Sequence, residues 1–251
     1  QRQMCIRDRS KSRALRSTTP MPLARVPAGI LSTDAPTSMG MQPADLAAVS
    51  PQLEIGRIVS AYRAGLFPME LGDAGADGCG WWSPKTRGVL LPGKLKVSKS
   101  LRKSMRGMRI TWNEAFDDVL VGCADPSRPG AWITDDIKAV YTELARTGWM
   151  KSVDVWDRDG ELIGGLFGLD LGSIFAGESM FHRETDASKA ALVGLVRHME
   201  DRCVEGQWLI DAQWSTPHLE SLGVSEISEL EYAKAVEMRL RGLRTQDFLM
   251  Q

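Results

Sequence analysis

The chain has 251 residues, 43% of them hydrophobic and 25% charged, with 31 Lys and Arg against 32 Asp and Glu and a formal net charge of −1. That is the composition of a globular chain with room for one large or two small domains, and a balance so close to neutral means that any nucleic-acid contact must come from local segregation of charge. No window approaches about 18 uninterrupted apolar residues, so no membrane span is expected. The four cysteines, Cys5, Cys79, Cys123 and Cys203, stand far apart with no CxxC pair. Buried thiols in a reducing cytoplasm are expected in place of a disulfide or zinc framework.

No basic-then-apolar leader opens the chain; the run at residues 1–9 reads as the translation of a sequencing adapter, an assembly scar. Residues 10–43 are rich in Ser, Thr, Pro, Ala and Met without a sustained period, so 1–43 is expected to be a disordered lead-in. Structure is expected to begin near Ser50, with Ser50 as cap, Pro51 in the first turn and Leu53, Ile58, Val59 and Tyr62 at helical spacing. Gly65 and Pro68 stop that helix. A turn-prone stretch over 72–80 leads into Trp81 and Trp82.

A second helix is predicted over 98–106, stopped by Gly107, and a third from a Thr134 cap through Ile137, Val140, Tyr141 and Leu144 to Gly148. Residues 152–156 and 161–169 read as strands joined by an Asp159, Gly160 hairpin turn. Residues 173–181 read as a third strand. A long helix over 187–204 carries the apolar stripe Leu192, Leu195, Val196, Met199 and Cys203. A short buried strand follows at 207–213, and Ser228 with Glu231 forms a capping box for a last helix through Val236. The fold class is α+β around a mainly antiparallel sheet. The expected division is a small N-terminal domain at 44–96, a larger domain at 97–240 and a tail at 241–251.

Between Asp77 and Glu114 there is no acidic residue, yet the window holds Lys85, Arg87, Lys94, Lys96, Lys99, Arg102, Lys103, Arg106 and Arg109. Lys99, Arg102, Lys103 and Arg106 share one face of the predicted helix, with Leu101 and Met105 on the other. This is either a solvated face or a track for a phosphate backbone, and the absence of acids favours the track. The glycine-rich run at 164–172 matches neither GxGxxG nor GxxxxGK[ST] and lies within strands, so close backbone approach explains it better than nucleotide binding. The three histidines form no metal-spaced set, and no GxSxG elbow is present. What remains is polar residues in apolar strands: Glu178, and Asp211 with Gln213 two positions on, which on a regular strand share a face. Buried carboxylates are costly unless paired or functional, so either a structural polar network or a reaction site accounts for them.

The motifs YRAGLFPM at 62–69, WWSP at 81–84, WIT at 132–134, GESMF at 177–181, DASK at 186–189, DAQ at 211–213 and TPHLESLG at 216–223 occur in that order. Together they resemble leucyl/phenylalanyl-tRNA–protein transferases, over about residues 50–236, in a version similar to actinobacterial members. The resemblance implies a GNAT-like acyltransferase domain. It implies transfer of Leu, Phe or Met from Leu-tRNA, Phe-tRNA or Met-tRNA to proteins beginning with Lys or Arg, marking them for N-degron degradation in the cytoplasm. It implies no cofactor, no metal and no membrane partner. Asp211 and Gln213 match the family's catalytic pair, and Glu178 matches an acid that orders the site and holds the basic acceptor. Leu166, Leu192, Leu195, Met199 and Ile210 match the side-chain pocket, and Trp132 an aromatic near the terminal adenosine. Lys99, Arg102, Lys103 and Arg106 fall in the tRNA-contacting helix. The chain departs from the family at Met69, where many members have Trp; at Lys151 and Asp154, in place of His and Glu; and at Ala47, Ala48, Val49 and Ser50, in place of a Gly-Gly-Asp-Leu run.

The chemistry agrees with that resemblance. An aminoacyl ester is already activated, and an α-amine with an ordinary pKa of roughly 7.7–8.0 is partly neutral at cytoplasmic pH. Orientation can then supply much of the rate. A coenzyme-A-dependent N-acyltransferase of the same fold class would show a pyrophosphate loop, which is missing. A peptidoglycan aminoacyltransferase would be a much longer, doubled chain. A non-catalytic RNA-binding protein would leave Glu178, Asp211 and Gln213 without a role.

Overall fold

In the computed structural model, residues 24–25, 43–51, 53–70, 78–128 and 131–241 are described. The first elements build a small antiparallel sheet. They are β1 (Ala24–Arg25), β2 (Leu46–Ser50), α1 (Ile55–Arg63), β3 (Phe67–Glu70) and β4 (Cys79–Trp82), with strand order β1-β2-β4-β3. β1 falls inside the segment expected to be disordered, where it pairs with Val49 and Ala48; the rest of that segment up to residue 42 lies outside the described residues. Ser50 is a strand residue rather than a helix cap: its hydroxyl accepts from the Trp81 indole at 3.0 Å, and α1 starts five residues later. The Pro51 next to it removes a backbone donor, which ends the strand as readily as it could have begun a helix.

The larger sheet begins with β5 (Thr86–Leu90). There follow α2 (Lys99–Ser104), β6 (Arg109–Trp112), α3 (Phe116–Cys123), α4 (Asp135–Arg146), β7 (Met150–Trp156), β8 (Leu162–Asp170), β9 (Ile174–His182), α5 (Ala187–Arg202), β10 (Leu209–Gln213), α6 (Pro217–Ser221), β11 (Ser225–Ser228) and α7 (Glu229–Leu240). Its seven strands run β11-β5-β10-β9-β8-β7-β6, antiparallel except for β9 with β10. This is the mixed α+β architecture with a mainly antiparallel sheet. β5 lies within 44–96 but pairs in the large sheet, so the change from one sheet to the other falls near residue 85. No described helix is long and apolar enough to cross a membrane.

The helix signals hold where capping chemistry is local. Ser98 accepts from the Leu101 N–H at 3.1 Å to start α2, and the Ser228 and Glu231 box starts α7. Thr134 stands at the N-cap of α4 but its hydroxyl makes no cap bond; Asp135 and Asp136 in the first turn favour that end electrostatically. The sequence reading passed over α3. Asp154 makes that helix start: it is buried and accepts from Ser152, from Thr111 and from the Glu114 and Ala115 N–H groups that lead into α3.

One face of the large sheet, including Phe167, Leu169, Ile174 and Ala176, packs on α3, α4, the small sheet and Tyr232 of α7. The other face, including Leu166, Phe175 and Ile210, is covered by α5 through Ala190, Ala191, Leu192, Leu195 and Met199. Each such side chain, buried fully, contributes on the order of 1.5–3 kcal/mol before entropy is counted. Glycines at 164–168 permit this packing. A Cβ at Gly164 would lie 2.6 Å from the Ala187 Cβ, and one at Gly168 would lie 2.2 Å from the Ala176 carbonyl oxygen.

Candidate active site

β9, α5 and β10 form a strand–helix–strand unit in which the two strands run parallel. They pair at only three positions, Ile174 with Leu209, Phe175 with Ile210 and Ala176 with Asp211, after which β9 continues to His182 without β10. Where the strands part, a cavity of about 200 Å³ opens between the sheet and α5. Leu166, Leu192, Leu195 and Ile210 line it, together with Met180, Trp214 and Leu219, and Glu178, Asp211 and Gln213 stand at its polar end. Met199 is fully buried in the same cluster as Leu192 and Leu195 but does not line the cavity. Trp132 is on the opposite face of the sheet, half-buried, with its ring edge-on to Tyr141 at 6.5 Å.

Both polar segments sit at ladder irregularities. β8 pairs Phe167 with Ser179 but Gly168 with Gly177, so Glu178 is the extra residue of a bulge. β10 pairs Asp211 with Val89 but Gln213 with Gly88, so Ala212 is extra, and Gln213 adopts a left-handed backbone with φ of 63°. The ladder gains one residue there, yet both side chains reach one polar cluster on the small-sheet face: Asp211 through Arg87 and Tyr232, Gln213 through Glu178, which Tyr62 and Tyr141 also hold. Asp211 turns with Arg87 toward the small sheet, and the bulge swings Gln213 into contact with Glu178. Bulges re-aim side chains in this way.

All four acceptor positions of Asp211 are filled. Oδ1 accepts from Arg87 Nε at 2.8 Å and from the Gln213 backbone N–H at 2.9 Å; Oδ2 accepts from Arg87 Nη2 at 2.7 Å and from the Tyr232 hydroxyl at 2.7 Å. Burial opposes the charge of Arg87, but the Asp211 carboxylate more than compensates and holds the guanidinium above the ordinary arginine range. Glu178 is held differently. Its donors are all neutral: Tyr62 at 2.5 Å and Gln213 Nε2 at 3.0 Å on Oε1, and Tyr141 at 3.0 Å on Oε2. Burial pushes its pKa up to about 7, against the pull of the two tyrosine hydrogen bonds. Gln213 is thus tied by its backbone N–H to one carboxylate and by its side-chain N–H to the other. Its Oε1 has no partner among the described residues and is the acceptor left to meet a ligand.

The basic residues Lys99, Arg102, Lys103 and Arg106 are all exposed, while Leu101 is buried beneath them. The helix is fastened to the start of α5 by Ser104, which donates to Asp186 at 2.8 Å; Lys189 donates to the other oxygen at 2.7 Å. None of the four makes an ion pair among the described residues, so their charge is available to a partner. Among the described residues, no group of three or more His, Cys, Asp or Glu is placed to hold a metal ion.

The sequence reading missed Arg87, Tyr62, Tyr141 and Tyr232 as partners of the site. Arg87 belongs to the acid-free basic window, but it stands between Thr86 and Gly88 at the start of an apolar strand, where an arginine needs a buried partner. Met180, Trp214 and Leu219 were missed as walls of the cavity. Leu219 lies on α6, which the sequence reading did not identify although Thr216 and Pro217 are its start signal.

Comparison with known proteins gives the same family from both halves of the chain. The profile described as leucyl/phenylalanyl-tRNA protein transferase matches residues 89–237, and the profile for that protein's N-terminal domain matches residues 51–85. A leucyl/phenylalanyl-tRNA–protein transferase of Shewanella baltica strain OS155 is 46% identical over 194 residues, covering 76% of this chain and 79% of the relative. One from Shewanella putrefaciens strain CN-32 is 45% identical over 195 residues, with the same coverage. The solved structure of L-PGS from Bacillus licheniformis is 9% identical, with a TM-score of 0.34 over 65% of this chain and 54% of that one, too loose a likeness to carry an argument. With most of its length aligned at this identity, the chain belongs to the leucyl/phenylalanyl-tRNA–protein transferase family.

Proposed function

We propose that the cavity between the parting strands takes the side chain of the donor amino acid, and that Gln213, with Glu178, orients the acceptor amine beside it. As a member of its family the chain is an aminoacyltransferase: it moves Leu or Phe from aminoacyl-tRNA to the N-terminus of a protein, a transfer that marks the acceptor for N-degron degradation. The observation that carries the reading is the free Oε1 of Gln213 at the polar end of an apolar cavity. In the reaction, the neutral α-amine attacks the ester carbonyl carbon, and a C–N bond forms as the ester C–O bond breaks. The ribose oxygen leaves with a proton that began on the amine. Gln213 accepts a hydrogen bond from the attacking N–H, and orientation supplies much of the acceleration. Asp211, its acceptor positions filled, works by positioning Gln213. Glu178 favours an acceptor beginning with Lys or Arg, because a cation beside it would stabilise its charged form.

Leu166, Leu192, Leu195 and Ile210 form the apolar wall for Leu, Phe or Met, and Met199 supports that wall from behind. Trp132, separated from Glu178 by Tyr141, belongs to the approach on the acceptor's side of the sheet in this reading. The parallel pair that separates around the cavity supports a GNAT-like catalytic domain, preceded by a smaller domain that ends near residue 85. The substrates imply work in the cytoplasm.

Labelled Leu-tRNA incubated with a peptide starting with Arg tests the reading: label passes to the peptide in the presence of the full chain, and no transfer would overturn it. The exposed bases of α2, Lys99, Arg102 and Lys103, and Arg106 in the 3-10 turn where the expected helix ends short, are assigned to the tRNA phosphates. Lys103→Ala with Arg106→Ala should weaken all tRNAs alike and reduce the slope of log affinity against log salt by up to about one unit each. An unchanged slope would mean the helix is merely solvated.

A further inference from the structure

We propose that Tyr232, on the last helix, is a positioning residue for the transfer, acting through Asp211 on the left-handed backbone of Gln213. The inference rests on the reading of Gln213 given above. Tyr232 lies 21 residues beyond Asp211, and its buried hydroxyl donates to Oδ2 at 2.7 Å. Only Tyr232 and Val236 of α7 are buried, so one of the two side chains anchoring this helix is aimed at the reacting strand. A phenylalanine would fill the same space; the hydroxyl is needed only for the hydrogen bond.

Arg87 cannot make up for its loss. Its Nε and Nη2 already grip Asp211, its Nη1 donates to the Gly65 carbonyl at 3.0 Å, and its faces are covered by the rings of Phe67 and Tyr232 at 4.7 and 4.4 Å. Two donors on each oxygen fix the plane of the Asp211 carboxylate. That plane fixes the direction in which the Gln213 N–H must point, and so maintains a φ of 63° that a non-glycine residue otherwise adopts at a cost. Without the Tyr232 hydroxyl, one lone pair of Asp211 is released, the carboxylate can tilt, and the Oε1 of Gln213 loses its aim. The last helix, through Tyr232, and β5, through Arg87, thereby hold Asp211 from two sides without touching substrate.

The test is a mutant cycle in the full chain, read as transfer of Leu from Leu-tRNA to an Arg-starting peptide. Tyr232→Phe should lower kcat about tenfold while the KM values for tRNA and peptide stay within about twofold. In a Gln213→Ala background, the same change should cause no further loss, because the group it positions is gone. Leu230→Ala, at a position 64% exposed on the same helix, should transfer normally. Wild-type kcat in Tyr232→Phe would overturn the inference, as would an equal loss in both backgrounds, which a general loosening of the fold would give. Absence of transfer by the unaltered chain would overturn the reading of the site; normal transfer there with an unaffected Tyr232→Phe would overturn this inference alone.

Discussion

The two buried carboxylates flanking Gln213 differ in almost every respect except burial. Asp211 faces a guanidinium bidentately, with a tyrosine and a backbone N–H completing its coordination. Glu178 faces two tyrosines and an amide, with no cation in hydrogen-bond contact among the described residues. The first is a charge neutralised in place and locked. The second is pushed up to about 7 by burial and retains its sensitivity to whatever cation approaches. Two acids near each other thus differ because their environments differ: one is locked in an ion pair, and burial keeps the other open to protonation.

Breaking the first arrangement should have the largest effect. Arg87→Ala leaves Asp211 buried without its counter-charge, and a change of about 3–5 kcal/mol in stability is expected from urea unfolding. A loss below about 1 kcal/mol would mean that the tyrosine and amide donors suffice, and that Asp211 and Glu178 are less different than their partners suggest.

Next is the residue between them. Gln213→Ala removes the free acceptor and should lower transfer by about 100-fold or more, with tRNA affinity almost unchanged. Full activity in single-turnover assays would remove Gln213 from the chemistry.

The smallest effect sharpens the contrast through pH. Folded Glu178 keeps its proton up to about 7, whereas the unfolded chain releases it in the ordinary glutamate range, so the folded state binds more protons in between. Its contribution to stability is therefore complete at low pH and lost as pH rises through about 7. Wild type should lose about 3 kcal/mol between roughly pH 4.5 and 8, and Glu178→Gln should lack that slope. Thermal unfolding of both across this range decides it; parallel pH profiles would show that burial does not hold the proton on Glu178.

Much of the fold was legible because its signals are local. The Ser98 and Ser228 caps, the Gly160 hairpin turn and the α5 stripe each depend on a few neighbouring residues, and each stands where the spacing puts it. Ser50 misled because a serine followed by proline suits a strand end as well as a helix start. The α3 helix was missed because its start is organised by Asp154, about 40 residues away, rather than by a cap of its own.

The sequence by itself determined the residue types of the candidate site: the apolar positions at 166, 192, 195 and 210, the acids at 178 and 211 and the amide at 213. Ordered motifs along one chain are enough to fix these. Only the tertiary structure decided how they face one another. Strand period predicts a shared face for Asp211 and Gln213; a bulge adds one residue to the ladder and gives Gln213 its left-handed backbone, and only the fold shows that both side chains still reach one polar cluster. The partners that lock Asp211 come from β5 and α7, distant in sequence, and become neighbours only when strand order β11-β5-β10 closes the sheet. Pairing across a sheet depends on register, a property of two strands at once, and no run of residues within either strand encodes it alone.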